Sequence, residues 1–511
     1  MGVFYIMKRI KKVLAAMLIL SMSIITGCHE KPLAKEEEFK GLLKNINENR
    51  EAFHKKPLPD INKYTGNPSR DKVVFKEGEI EAMLPSKDMK PFEESKLLTR
   101  NEAITDVESF FKLLKSSYSL YNYFGGDTTF NKAKEEITDK INTSKEISNG
   151  DFVKLLRSNL TFIKDGHFQI GEEDELNLYY SYEEEPFLRD DKGIYKVSNN
   201  KKYYLKSVDS KDNLEDYLKL TINEEGKLTY ELGFTTWSKV KLEYMKQSYK
   251  YTVETPELPI KISYESKGEK FEDTVNFKTE KEVNYDFKDC FSLDMSNNIP
   301  VVNFNKIDEN IAVTKINETK DKLKEYNITV MDLRGNYGGA FLALNRITEK
   351  MGIPNTEKRV MGELYSEPVL SQRKYFYGDN TDYSNNLNRF VFESKFEVDT
   401  ALADNDKLII ALIDTNVASS GEGFIRRLCN MKNVILVGTN TNGANITYNP
   451  IRYKLQNSNI RLNVPSGVYV CPDIDNFELN GFTPDIWVNS TASLDKVLKF
   501  IDYYDLEEFK K

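Results

Sequence analysis

From Ile299 onward the chain repeats one pattern: a short, almost wholly apolar run, a turn of small residues, then a segment with apolar residues at helical spacing. Residues 300–304 read as a strand and 310–326 as an amphipathic helix. Residues 328–333 read as a buried strand that runs into Gly335-Asn336-Tyr337-Gly338-Gly339, and a helix follows through Met351. Residues 408–413 form the next apolar run, 419–431 the next helix, and 434–437 a further strand. Strands apolar on both faces need cover on both faces, so this half predicts an α/β layered core.

The rest of the chain differs in period. Thr99-Arg100-Asn101-Glu102 has the form of a capping box, and Ile104, Val107, Phe110, Phe111, Leu113 and Leu114 follow at helical spacing. Further helices are expected over 130–141 and 149–160. Beyond Phe168 the chain alternates and is rich in Tyr, Thr and Val, with strands expected over 194–197, 202–205 and 260–264. The resulting division is a polar tether over 28–95, with a strand near 72–75, then a helical unit over 96–167. A β-rich segment over 168–290 and an α/β core over 291–511 complete it. Several units suit a chain of 511 residues.

Composition removes whole classes of function. With 72 basic against 80 acidic residues the net charge is −8, which argues against nucleic acid as a partner. The four cysteines form no CxxC pair. Cys290, Cys429 and Cys471 lie in apolar contexts and read as buried and structural. No metal-ligand spacing appears, so no metal and no organic cofactor is implied. There are only three histidines: His29, His54 and His167. The first two fall within the polar tether, so imidazole chemistry can sit only at His167.

Four sites in the sequence have the residue types for acyl transfer. Gly338-Gly339 closes a strand and opens a helix, which leaves backbone N–H groups pointing outward to receive a developing oxyanion. It serves equally well as a plain tight turn. Ser419-Ser420-Gly421-Glu422 opens the next helix, where a serine gains from the positive end of the dipole or simply acts as an N-cap. His167 follows Asp165-Gly166. Glu478, in Glu478-Leu479-Asn480-Gly481-Phe482-Thr483-Pro484-Asp485, is one acid among many until it is seen with the other three.

Together and in this order these segments resemble a serine peptidase family. It includes the C-terminal processing (tail-specific) proteases, the tricorn protease core and the interphotoreceptor retinoid-binding proteins. The segments are Asp165-Gly166-His167, Asp332 through Gly339, Ala418-Ser419-Ser420-Gly421-Glu422, Val437 through Gly443 and Gly481 through Asp485. The resemblance implies a Clp-protease/crotonase-like layered β-α core, with Ser419 as nucleophile, chosen over Ser420 by the S-x-x-E pattern. It also implies an oxyanion hole from Gly338, Gly339 and Ser420, and a protein or peptide substrate. Tail-specific members carry a lysine where Ala444 stands here. Tricorn-like members use a histidine, which His167 matches, with Glu478 as the acid. Gly166 departs from tricorn, which has a serine beside its histidine. Glu422 reads as an acid favouring the first turn of its helix. Family members that bind ligands without hydrolysis make a binding lipoprotein the alternative. In tail-specific members a PDZ domain precedes the core, and Tyr230-Glu231-Leu232-Gly233-Phe234 resembles a carboxylate-binding loop.

The N-terminus carries an export signal. Lys8, Arg9, Lys11 and Lys12 precede a short apolar stretch that ends Ile25-Thr26-Gly27-Cys28. That ending resembles the lipobox of bacterial lipoproteins. The resemblance implies removal of residues 1–27, acylation of Cys28 and attachment to the outer face of the cell membrane by more than one acyl chain.

Overall fold

The computed structural model describes residues 35–509 apart from 67–68, 86–91, 172–174, 215, 246–247, 255–258, 280–281, 287–290, 297, 357, 380, 382 and 394–400. The signal and Cys28 therefore lie outside the described residues, as do His29 and Cys290.

The first described element departs from the sequence reading. Within the stretch expected to be a polar tether, Lys35–His54 forms a 20-residue helix, α1. Its Phe39, Leu43 and Ile46 are buried, at i, i+4 and i+7, so they share one stripe. That stripe packs on the α/β core against Phe500, Ile435 and Val437. Arg50 adds an ion pair to Asp485, 2.6 Å away. The strand expected near 72–75 is a single 3-10 turn, Arg70–Lys72, followed by irregular chain.

The helical unit follows as Arg100–Ser117 (α2), Gly126–Asn142 (α3) and Asn149–Asn159 (α4). The Thr99/Glu102 capping box is present at the start of α2, in both directions. Residues 168–290 hold strands and no helix among the described residues. Two long strands, β1 (Glu175–Asp190) and β3 (Leu228–Met245), pair antiparallel in the middle of a ten-stranded sheet. Tyr230–Phe234 is not a loop. It lies within β3, between β1 on one side and β2 (Leu218–Ile222) on the other.

The core sheet has six strands. In spatial order they are β4 (Phe291–Asp294), β5 (Val301–Phe304), β6 (Ile328–Asp332), β8 (Leu408–Ile413), β9 (Val434–Gly438) and β12 (Ile486–Trp487). Only β4 runs antiparallel to its neighbour. Alternation in β8 explains the two-sided apolar run. Ile409, Ala411 and Ile413 face α6 (Phe341–Met351) and α8 (Ser420–Leu428), while Leu408, Ile410 and Leu412 face α1 and α9 (Ser493–Tyr503). Helix α5 (Glu309–Leu323) joins β5 to β6.

A second sheet was not legible as such. β7 (Val360–Tyr365), β10 (Thr447–Lys454) and β11 (Arg461–Val470) pair antiparallel, and the short strand Gln169–Ile170 adds to β11. The helical unit packs on this sheet through one shared core. That contact carries the chain after α4 to the edge of the α/β core.

Because α1 is packed, truncating its stripe is expected to cost stability. Phe39→Ala should lower the unfolding free energy by about 3–5 kcal/mol in a denaturant titration. A loss below about 1 kcal/mol would show that the segment is a detachable tether after all.

Candidate active site

Parallel pairing sets the site. β6 and β8 are neighbours in register, Asp332 opposite Leu412, so their carboxyl ends and following turns lie side by side. Two buried side chains cross-link those turns. Asp414 accepts from the N–H of Gly335 and of Asn416, both at 3.1 Å. Burial pushes its carboxyl up to about 6. Asn336, with no exposed surface, donates to the Phe304 carbonyl at 2.7 Å and accepts from the Gly338 N–H at 3.0 Å. Its own carbonyl accepts from Ala418 N–H at 3.0 Å.

Ser419 sits at the junction of β8 and α8 with φ 54° and ψ −122°. A non-glycine residue there is strained by about 1–3 kcal/mol and persists only where its surroundings over-determine it. They do so here: Ala418 is tied to Asn336, Gly421 N–H donates to Ala418, and Gly423 N–H donates to Ser419. Gly338, at φ +99°, lies against the serine, and a Cβ added to it would stand 2.9 Å from both Ser419 Cβ and Ser420 N. Only glycine allows that approach.

The two serines are in different states. Ser420 is buried, and its hydroxyl donates to the Gly339 carbonyl at 2.9 Å, clamping the glycine turn to α8. Ser419 has no such engagement among the described hydrogen bonds. The three expected oxyanion donors also separate. Gly338 has spent its N–H on Asn336, so it serves as the close-approach residue rather than as a donor. The N–H groups of Gly339 and Ser420 have no backbone partner among the described residues.

His167 arrives from the other side. Its Nδ1 lies 3.2 Å from Thr447 Oγ1, and that hydroxyl donates to Asp165 Oδ1 at 2.7 Å. A hydroxyl already donating to a carboxyl group can only accept from Nδ1–H, which leaves Nε2 without a proton. Nε2 is buried and has no hydrogen-bond partner among the described residues. Burial lowers the imidazole pKa below its ordinary 6.5, with Asp165 pulling the other way. Asp165 also accepts from Tyr118 Oη at 2.8 Å and from His167 N–H at 3.0 Å.

Glu478 lies beside this group without bonding to the imidazole. Its carboxylate accepts from the N–H groups of Gly166 (2.7 Å), Asn445 (2.9 Å) and Ile446 (2.7 Å). Glu422 does more than favour a first turn. It is fully buried and accepts from Gly443 and Ala444 N–H, both at 2.9 Å, and from the Thr441 hydroxyl. Four consecutive amides, 443 to 446, therefore end on two glutamates. This loop also joins the two halves of the site: Asn442 N–H donates to Val417, two residues before Ser419, while Ala444 packs on Gly166, next to His167. A Cβ at Gly166 would stand 2.8 Å from Ala444 Cβ, so no serine fits there. Thr447, 280 positions from His167, supplies the hydroxyl instead, and no local pattern announces it.

A strained serine at a helix start, free backbone N–H groups beside it and an imidazole with a bare Nε2 make the equipment of a serine hydrolase. The model of peptidase family S41 matches residues 298–488, which include the glycine turn, Ser419 and Glu478. Residues 298–488 are thus similar to peptidase family S41, which supports a serine-type peptidase. Similar solved structures include mature CPAF, at TM-score 0.40 and 11% identity over 80% of this chain and 96% of that one. The photosystem II D1 C-terminal processing protease has TM-score 0.35 and 10% identity over 78% and 96% of the two chains. The tricorn protease has TM-score 0.34 and 13% identity over 80% of this chain and 37% of its own. No curated protein matches the sequence.

Strain at Ser419 makes a test that separates function from stability. Ser419→Gly should stabilise the fold by about 1 kcal/mol in a denaturant titration, because glycine takes this backbone conformation freely. A destabilised variant would mean that the serine is not strained.

Proposed function

We propose that the chain is a membrane-tethered, extracytoplasmic serine endopeptidase with Ser419 as nucleophile and His167 as general base. The observation that carries this reading is the state of Ser419: held in a strained conformation at the start of α8, next to N–H groups of Gly339 and Ser420 that have no backbone partner among the described residues. Its neighbour Ser420 is committed to a structural bond, which leaves one serine for attack.

The chemistry follows from the groups present. As Ser419 Oγ attacks the substrate carbonyl carbon, its proton passes to His167 Nε2. The carbonyl oxygen becomes an oxyanion and is received by Gly339 and Ser420 N–H, each such donor being worth about 2.7–4 kcal/mol in comparable enzymes. The imidazolium then gives its proton to the leaving amine, the C–N bond breaks, and an acyl-enzyme remains. Water, deprotonated by the same imidazole, releases the acid and restores Ser419. In the present structure Nε2 makes no hydrogen bond, and such contacts commonly tighten only when substrate binds.

The tether rests on the lipobox-like Ile25-Thr26-Gly27-Cys28. Because α1 begins at Lys35 and packs on the core, only residues 29–34 separate Cys28 from the folded body. Six residues span about 20 Å at most. An acylated Cys28 would thus hold the enzyme against the bilayer rather than lift it away, and membrane-proximal chains would be its substrates. Cys28→Ala should move the protein from the membrane to the soluble fraction, and unchanged membrane retention would count against the anchor.

A fluorophosphonate probe tests the nucleophile. Wild type and Ser420→Ala should label, and Ser419→Ala should not. Label that survives Ser419→Ala would displace Ser419 from this role, and a folded wild type that never labels would remove the peptidase mechanism. The pH dependence has a definite sign. Protonated imidazole cannot accept a proton, so the labelling rate should fall as pH drops through the His167 pKa. Burial holds that pKa below 6.5, so half the rate should remain at some pH below 6.5. A midpoint above about 7 would contradict an imidazole with a buried Nε2 as base.

A further inference from the structure

We infer that Asp165, acting through the Thr447 hydroxyl, is the acid of this site: the two are positioning residues for His167, while Glu478 braces the loops around it. The inference rests on the peptidase reading above and deepens it.

Hydrogen bonding separates the two acids. A carboxyl group that steadies an imidazolium must reach Nδ1–H directly or through a group that both accepts and donates. Thr447 Oγ1 is such a group, 3.2 Å from Nδ1 and 2.7 Å from Asp165 Oδ1. Asp165 is itself fixed from two further directions, by Tyr118 Oη and by the backbone N–H of His167. Glu478 has no such route. Both of its oxygens accept from backbone amides, and none of its hydrogen bonds involves the imidazole or Thr447.

The electrostatics agree with that division. Among the described residues the titratable groups bonded to the Asp165–His167 turn are Tyr118, at the end of α2, and Glu478, while Glu422 and Arg426 bond to the 443–445 loop. Arg426 is bonded to Asn445 at 2.8 Å. Asp165 raises the imidazole pKa against the effect of burial. Burial and the neighbouring Asp165 push Glu478 well above the usual carboxylate range, which suits a brace better than a counter-ion. Tyr118, also pushed up by burial and by Asp165, stays protonated and donates.

The relay also accounts for two departures from the related peptidases. Gly166 and Ala444 touch, which excludes a serine at 166 without rearrangement, and Ala444 carries no amine. With a hydroxyl from β10 in place, the site needs neither.

Three histidines in the whole chain make His167 readable by NMR with histidine labelled at Cε1. The test follows the His167 titration in wild type, Thr447→Val, Thr447→Ser and Glu478→Gln, together with the pH profile of fluorophosphonate labelling. Thr447→Val keeps the shape but removes the relay. It should lower the imidazole midpoint by about one pH unit and slow labelling at its plateau by about tenfold or more. Thr447→Ser should restore both. Glu478→Gln should lower thermal stability and leave the midpoint in place. The inference is overturned if Thr447→Val leaves the midpoint unmoved, or if Glu478→Gln lowers it as far as Thr447→Val was expected to. The NMR titration is readable even in a protein that never labels, so failure of the peptidase reading and failure of the relay are separate outcomes.

Discussion

Four consecutive backbone amides, from Gly443 to Ile446, point at two buried glutamates, and the site depends on that arrangement. Glu422 comes from the first turn of α8, the helix that follows Ser419, and Glu478 from the segment before β12. A buried carboxylate costs several kcal/mol unless its lone pairs are filled, and here backbone N–H groups fill them. The reverse also holds: a loop between two sheets can be buried only if something accepts its amides. The two requirements satisfy each other. As a result the loop that bonds to Val417 on one side and packs on Gly166 on the other is held by hydrogen bonds at four consecutive amides.

Each half has its own support. On the serine side, β6 and β8 end together, and Asp414 and Asn336 tie their turns so that Gly338 lies on Ser419. On the histidine side, the helical unit packs on the sheet of β10 and β11, which brings Asp165, His167 and Thr447 into one hydrogen-bonded chain. The match to peptidase family S41 spans residues 298–488 and so takes in the first half and Glu478. The imidazole comes from outside that span.

Much of this was legible where chemistry is local. The strand 408–413 came out with its bounds, and the Thr99 capping box, the glycine turn and the Ser419 junction each lie in a few contiguous residues. What escaped was set by tertiary contact. Helix α1 hides its stripe of Phe39, Leu43 and Ile46 behind Glu36, Glu37 and Glu38, so average polarity suggested a tether where the spacing alone would have suggested a helix. Glu422 looked like a first-turn acid because its loop partners lie about twenty positions downstream. Thr447 is one threonine among many until the fold carries it beside His167. Asp165, two residues before that histidine, was in view, but its role needed the hydroxyl between them.

The account turns on Ser419 as the attacking group with Gly339 and Ser420 receiving the oxyanion. A crystal structure of the enzyme inactivated with a peptidyl fluorophosphonate tests this most directly. The account predicts a phosphorus bond to Ser419 Oγ, with the phosphonyl oxygen about 2.7–3.1 Å from the N–H groups of Gly339 and Ser420. A bond to any other residue, or a phosphonyl oxygen turned away from both amides, would contradict it.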